Sequence, residues 1–266
     1  MLETVPLQDL RTMNEIPDLK TDGFTWVSKR HVEGIENLKE FSNEHNTALT
    51  DDSVKLVKDL TGAKSVLAYS STFRHYESEK AKKPISVIHS DMSAKGAKYT
   101  KKEIKKRFLT SENPMEVELG NLLKKGQNNV MLLNVWRPLR VVQDNHLGFC
   151  KWSSLSRRDR LDWGIKPTNP HNSLQAWKYS KSQQWFYLSK QKQDEVFVFL
   201  QHDSKAKDHH GINVPHASFN SKSDLGQSRT RMSFESKIVV VFESPTNEGR
   251  FSKLHKQIDS FFSQFN

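Results

Sequence analysis

Hydrophobic and polar positions fall into two regimes along the chain. In the first half the apolar residues keep helical spacing. Val54, Leu56, Val57 and Leu60 follow the polar run Asp51-Asp52-Ser53, which predicts a capped amphipathic helix. Lys101 to Arg107 reads as a basic helical stretch. Asn113-Pro114 opens another helix through Met115, Val117, Leu119, Leu122 and Leu123, and Gly126 stops it. From Pro84 onward the period changes to two. Ile85, Val87 and His89 alternate with Ser86, Ile88 and Ser90, and Val130 to Trp136 is an apolar run of the buried-strand type. Trp185–Leu188, Val196–Leu200 and Ile238–Phe242 complete a series of short strands, each bounded by polar or turn residues.

Strands at irregular spacing, with helices concentrated before them, favour an antiparallel sandwich or barrel over a doubly wound sheet. A last helix is predicted from Ser252 to Phe265, with Leu254, Ile258, Phe261, Phe262 and Phe265 on one face. No linker, repeat or low-complexity tract divides the sequence. The expectation is one domain over residues 1–266: a mainly helical flank over 1–83, a β core with inserted helices over 84–243, and a C-terminal helix over 244–266.

Composition narrows the chemistry. A chain of 266 residues is long enough for a core and an internal cavity, and its 10% aromatics argue for a folded body. The single cysteine, Cys150, excludes an intrachain disulfide framework and multi-cysteine zinc modules. No apolar run reaches membrane-spanning length, and the first residues lack the features of a secretory signal, so a cytoplasmic protein is expected.

Metal-ligating residue types are sparse. His89-Ser90-Asp91 is the one His-x-Asp in the sequence, where about 0.6 would arise by chance from its histidine and aspartate content. It ends an alternating strand, where residues two apart share a face, so imidazole and carboxylate can converge on one ion. The pairs His31/Glu33 and His75/Glu77 sit in polar surroundings without that alternation. A third ligand would come from His202, His209, His210 or His216. Of these, His216 lies between Val214-Pro215 and Ala217-Ser218-Phe219, an ordered segment re-entering the core. Further on, Arg231-Met232-Ser233 puts a guanidinium and a hydroxyl on one strand face, a pairing able to grip a small carboxylate.

The order His-x-Asp, distal His, Arg-x-Ser resembles that of the iron(II)/2-oxoglutarate-dependent oxygenases with a double-stranded β-helix, or jelly-roll, core. Asn134-Val135-Trp136-Arg137-Pro138-Leu139, Asp194 to Phe199 with Asp203-Ser204, His216 to Phe219 and Arg231 to Glu235 are similar, more narrowly, to the fungal hydroxylase/desaturase family, which includes gibberellin desaturases and relatives of cephamycin-pathway proteins. The resemblance spans Ile85 to Phe242. It implies Fe(II) held by His89, Asp91 and His216, 2-oxoglutarate gripped by Arg231 and Ser233, and O2 as the second cosubstrate. The implied reaction is hydroxylation, desaturation or cyclisation of a small organic molecule in secondary metabolism. Two positions depart from the family pattern: Lys151 stands where an aspartate is usual, and Lys237 where a second arginine closes the Arg-x-Ser-x-Glu block.

Inward strand faces should supply the apolar wall. Asn134 and Trp136 share a face and, with Tyr187, are the expected substrate contacts; Trp185, Phe197 and Phe199 are further candidates. The net charge of +10 adds a last consideration. Lysines cluster over Lys95–Arg107, just after His89 and Asp91, so they are expected to line the mouth and favour an acidic substrate. The same clusters are the electrostatic footprint of nucleic-acid binding. That gives second and third readings: a nucleic-acid demethylase with the same iron chemistry, or a non-catalytic basic nucleic-acid-binding protein.

Overall fold

A computed structural model describes residues 4–243, apart from 37, 39, 76, 77, 79, 80, 127, 163, 165, 170, 171 and 222–229. The predicted helix Ser252–Phe265 lies outside the described residues. Two facing sheets form the body. One has seven strands: β1 (Leu7–Asp9), β4 (His89–Ser90), β6 (His146–Cys150), β7 (Arg160–Leu161), β8 (Gln175–Trp177), β9 (Trp185–Tyr187) and β11 (His216–Phe219), in the order β1-β9-β6-β11-β4-β8-β7. The other has five: β2 (Phe24–Val27), β3 (Ser65–His75), β5 (Asn129–Pro138), β10 (Val196–Asp203) and β12 (Met232–Phe242), in the order β2-β10-β5-β12-β3. This is a mostly β, jelly-roll arrangement with flanking helices, as the sequence suggests.

Aromatic side chains from both sheets fill the space between them. Phe24 stacks on Phe149 with ring centroids 5.1 Å apart, and Phe149 meets Phe197 at 4.6 Å and Phe199 at 5.0 Å. All four are fully buried, each worth roughly 1.5–3 kcal/mol relative to exposure. Strand alternation sends Val196, Val198 and Leu200 to the opposite face of β10, where they pack with Leu56, Val57 and Leu60 of α1 (Asn43–Thr61). Two more helices, α2 (Ala94–Leu109) and α3 (Pro114–Lys125), close the inner face at the far end of β5 and β12. Ile104, Phe108, Leu119 and Leu122 contact Val130, Leu132, Val239 and Val241 there.

Several boundaries differ from the sequence reading. The helix α3 matches: Asn113 caps it, Pro114 sits in its first turn and Gly126 ends it at φ 71°. α1, however, starts at Asn43, because Ser42 and His45 form a reciprocal cap well before Asp51. The segment 1–83 is not mainly helical. It contributes β1, β2 and the eleven-residue β3 alongside that one long helix. β3 is an edge strand whose polar stretch Ser70-Ser71-Thr72 pairs with β12, so its composition hides a strand that tertiary pairing selects. The predicted strand Ile85–Ser90 shrinks to His89–Ser90. Ile85 and Val87 are exposed, so their alternation has no core to face.

Arg137 has the largest fully buried side chain. It points away from the interior to α1, donating Nη2 to Asp52 and Nη1 to the Arg30 carbonyl (2.8 Å), while Arg30 Nε also reaches Asp52 at 2.9 Å. Removing the carboxylate strands a buried guanidinium. Asp52→Ala is therefore expected to lower unfolding free energy by about 3–5 kcal/mol in urea titrations, whereas an exposed surface aspartate substitution should cost under about 0.5 kcal/mol.

Candidate metal centre

Two short strands bring the centre together. His216 on β11 is the direct register partner of His89 on β4, so two imidazoles that are 127 positions apart in the chain stand side by side, ring centroids 4.5 Å apart. Each is fixed in one tautomer by a local bond: Nδ1–H of His89 donates to the Val87 carbonyl at 2.7 Å, and that of His216 to the Val214 carbonyl at 3.1 Å. Both Nε2 lone pairs are thereby left for a ligand. They face Asp91 Oδ1 at 3.8 Å and 3.9 Å. One ligating atom from each residue falls within 4.8 Å of the other two. Bonds of about 2.0–2.2 Å to one ion bring adjacent donors to about 3 Å, so the trio draws in by several tenths of an ångström around a metal.

Asp91 is placed from several directions. Its backbone N–H donates to Gln201 Oε1 at 2.7 Å, and Gln201 Nε2 donates to the Val214 carbonyl at 3.2 Å. The preceding Ser90 donates Oγ–H to the Asn213 carbonyl at 2.7 Å and accepts from Trp177 Nε1 at 2.8 Å. On the carboxylate, Oδ2 accepts from Asn134 Nδ2 at 2.5 Å and from Lys237 Nζ at 2.8 Å. Burial opposes the charge, but the Lys237 ammonium, then His216 and His89, hold the Asp91 carboxyl well below the usual range. Burial and the neighbouring His216 push His89 down to about 4, and burial likewise lowers His216. Two neutral imidazoles and one carboxylate are a facial donor set suited to Fe(II).

A narrow cleft beside the trio is lined by Trp136, Leu147, Ser218, Arg231, Glu235 and Arg74, among others. Arg231 is buried against the Trp136 ring at 5.0 Å and donates Nη1 to the Asn145 carbonyl at 2.6 Å, while its Nε has no partner. Burial, then the charge of Arg74, push this guanidinium down to about 9. The hydroxyls of Ser233 and Ser218 are also buried without partners. An unpaired guanidinium N–H and the unpaired Ser218 hydroxyl, enclosed beside a metal-type donor set, fit a carboxylate ligand of the metal such as 2-oxoglutarate.

The sequence-selected residues separate into three groups. His89, Asp91, His216, Arg231 and Trp136 converge on the cleft, and Ser233 is buried on the same strand face as Glu235 without being among the residues that line it. Asn134 is buried here too, but its Nδ2 donates to Asp91 and to Glu235 Oε1 (2.8 Å), so it braces Asp91 and is not among the residues that line the cleft. Tyr187 is placed elsewhere: Phe186 faces the interior, so Tyr187 lies on the outer face against His146 and Phe219. Trp185 shares that outer face. His202 and His210, candidates for the third ligand, instead pair with each other at Nδ1–Nδ1 3.0 Å, with Lys101 Nζ on His202 Nε2 at 2.9 Å. Lys151 pairs with Asp22 at 3.2 Å and is not among the described cleft residues. The lysines of α2 do not line this cleft. Lys95, Lys98, Lys101, Lys102 and Lys105 border a separate groove with Val130 and Phe242, at the strand ends remote from Arg231. Ser218 was missed, although period two from His216 selects it. Lys237 was singled out only as a departure from the family pattern, although period two from Ser233 and Glu235 selects it; Gln201 and Arg74 carry no such local signal.

A family model described as an oxidoreductase/YMDC permease-like domain matches residues 2–241. The chain belongs to this family. Its relatives include hydroxylase/desaturase CTB9 of Cercospora beticola, 23% identical over 92% of this chain and 78% of the relative. The Fe(II)/2-oxoglutarate-dependent dioxygenase nvfI of Aspergillus novofumigatus is 28% identical over 76% of this chain and 70% of its own length. Among solved structures, the iron and α-ketoglutarate-dependent endoperoxidase NvfI superposes with a TM-score of 0.70 at 24% identity, covering 90% of this chain and 84% of that one. The family resemblance seen in the sequence therefore holds, and these fungal relatives are named as hydroxylase/desaturases and 2-oxoglutarate dioxygenases. Among the described residues no helix is long and apolar enough to cross a membrane.

The buried imidazoles set an acid limit. A histidine near 4 in the folded chain and near 6.5 unfolded takes up protons preferentially on unfolding, so its contribution makes stability fall as pH drops from 6.5 towards 4, and protonation of the depressed Asp91 carboxyl continues the fall below that. Thermal melts of the metal-free chain should show this decline. Added Fe(II) or Co(II) at pH 7 should raise the melting temperature in the parent protein and not in His89→Ala or His216→Ala.

Proposed function

We propose that the chain is an iron(II)/2-oxoglutarate-dependent dioxygenase that oxidises a small organic metabolite of secondary metabolism by hydroxylation, desaturation or cyclisation. The observation that carries this reading is the convergence of His89, Asp91 and His216 on one point, in a cleft also lined by Arg231, whose Nε is unpaired. When bound, Fe(II) supplies the activation of O2 that lets an unreactive C–H bond be oxidised at the expense of 2-oxoglutarate.

The protein's own residues then have separable tasks. His89, Asp91 and His216 hold the ion on one face and leave its other positions to cosubstrates. Arg231 neutralises the far carboxylate of 2-oxoglutarate and Ser233 donates to it, aiming the keto-acid end at the metal. Trp136, whose ring centroid lies 5.0 Å from Arg231 Cζ, packs against the guanidinium and keeps water from that side. An acidic substrate is supported by Arg74, a cleft-lining cation partly compensated by Glu235 at 3.7 Å, rather than by the α2 lysines. Which oxidation follows depends on how closely the substrate C–H is held to the metal.

The test is formation of succinate from 2-oxoglutarate, dependent on Fe(II) and abolished in His216→Ala. Losing a charged hydrogen bond of about 1.5–3 kcal/mol, Arg231→Leu should raise KM for 2-oxoglutarate by roughly 10- to 150-fold, and Ser233→Ala by about 2- to 10-fold. Neutralising Lys98, Lys101 and Lys102 together should leave these constants unchanged. Absence of succinate with any pool of small metabolites, together with tight salt-sensitive oligonucleotide binding, would overturn the proposal in favour of a nucleic-acid-binding role.

A further inference from the structure

Lys237 stands directly opposite Asn134 in the β5–β12 ladder, and both side chains reach the same atom, Oδ2 of Asp91. A carboxylate oxygen has about two lone-pair sites, so the two donors occupy both. Oδ1 has neither donor and faces the two Nε2 atoms. The arrangement is braced from behind. Asn134 Nδ2 also donates to Glu235 Oε1 at 2.8 Å, and Glu235 is paired with Arg74. An asparagine tied to two carboxylates cannot rotate to release either one without breaking a buried bond.

We propose that Lys237 is a positioning residue which, with Asn134, keeps Oδ2 of Asp91 off the metal, so that Asp91 ligates through Oδ1 alone. The inference rests on the iron/2-oxoglutarate reading of the site. Its consequence is a count of coordination positions. Three protein donors around a six-coordinate ion leave three places, two for the keto acid and one for O2. If Oδ2 also bound, one of those places would be lost. Lys237 therefore acts on cosubstrate binding more than on metal retention. Removing its positive charge favours the metal electrostatically, while freeing Oδ2 to compete with 2-oxoglutarate.

The experiment compares the parent chain with Lys237→Met and Lys237→Arg, using Co(II) as a spectroscopic stand-in for Fe(II). Three quantities are read: Co(II) affinity, the Co(II) absorption spectrum, and the 2-oxoglutarate Kd of the Co(II)-loaded protein. Lys237→Met should bind Co(II) within about threefold of the parent or more tightly, show a spectrum altered by an added carboxylate oxygen, and bind 2-oxoglutarate at least about tenfold more weakly. Lys237→Arg, which restores a charged donor, should return the spectrum and most of the cosubstrate affinity. Should the Met variant not fold, Lys237→Gln gives the same three readings. The proposal is overturned if the folded variant keeps the parent spectrum and 2-oxoglutarate affinity, or if Co(II) and 2-oxoglutarate binding fall together by the same factor. Failure of the parent chain itself to bind Co(II) would instead remove the metal-site reading beneath it.

Discussion

Ten register pairs between β5 and β12, from Ser233 opposite Pro138 to Phe242 opposite Asn129, decide which side chains meet inside the protein. Because the strand period is two, a slip of one residue would send Ser233, Glu235 and Lys237 to the helix side and bring Phe234 and Ser236 into the cleft. The same ladder divides labour along its length. At one end it presents Arg231 and Ser233, in the middle Asn134, Glu235 and Lys237, and at the other Val239 and Val241 against α2 and α3. The hydrophobic end is buried on both faces, Val239 and Val241 against α2 and α3 and Ile238 and Val240 against α1, so it anchors the strand while the polar positions beyond it specify the register.

The polar middle concentrates charge where water is scarce. Asp91, Glu235, Lys237, Arg231 and Arg74 are neighbours; the first two and Arg231 are buried, and Lys237 and Arg74 are half-buried. Such groups persist only when each has partners. Asp91 is served by Lys237 and Asn134, and Glu235 by Asn134 and Arg74. Arg231 is the member left part-paired, and Ser233 beside it has no partner at all. That uneven satisfaction, rather than cavity shape, distinguishes a ligand-accepting region from a structural polar core.

Much of this was legible in the sequence where the signal is local. The Asn113-Pro114 start and Gly126 stop of α3 depend on backbone conformations that few residues favour, so they read directly. His89 and Asp91 read because two ligands fit one strand-end tripeptide. His216 needed the family resemblance to separate it from His202 and His210, since neither spacing nor composition reveals that β11 pairs with β4. Asn134 was read as a pocket residue because its strand face was evident but its partner, on a strand more than forty residues earlier, was not. β3 went unread because Ser70, Ser71 and Thr72 have no apolar pattern of their own; β12 recruits them. Tyr187 was assigned to the wrong face through the phase of a three-residue strand, too short to show which parity is inward.

Gln201 joins layers as well as residues. It belongs to the five-stranded sheet, yet its amide oxygen takes the N–H of Asp91 and its amide nitrogen serves the Val214 carbonyl, which also orients His216; both targets flank strands of the other sheet. The Gln201–Asp91 contact closes a loop of 110 residues, and that entropic cost places it among the slower events of assembly. The two imidazoles thus acquire their spacing when β11 pairs with β4 inside one sheet, whereas Asp91 gains its bonds to Gln201, Asn134 and Lys237 only when the sheets close on each other. A chain whose sheets have not yet closed has its imidazoles paired but its carboxylate unbraced, and so an incomplete grip on a redox-active ion. Oxidative chemistry is in this way withheld until the surrounding protein is complete enough to contain it.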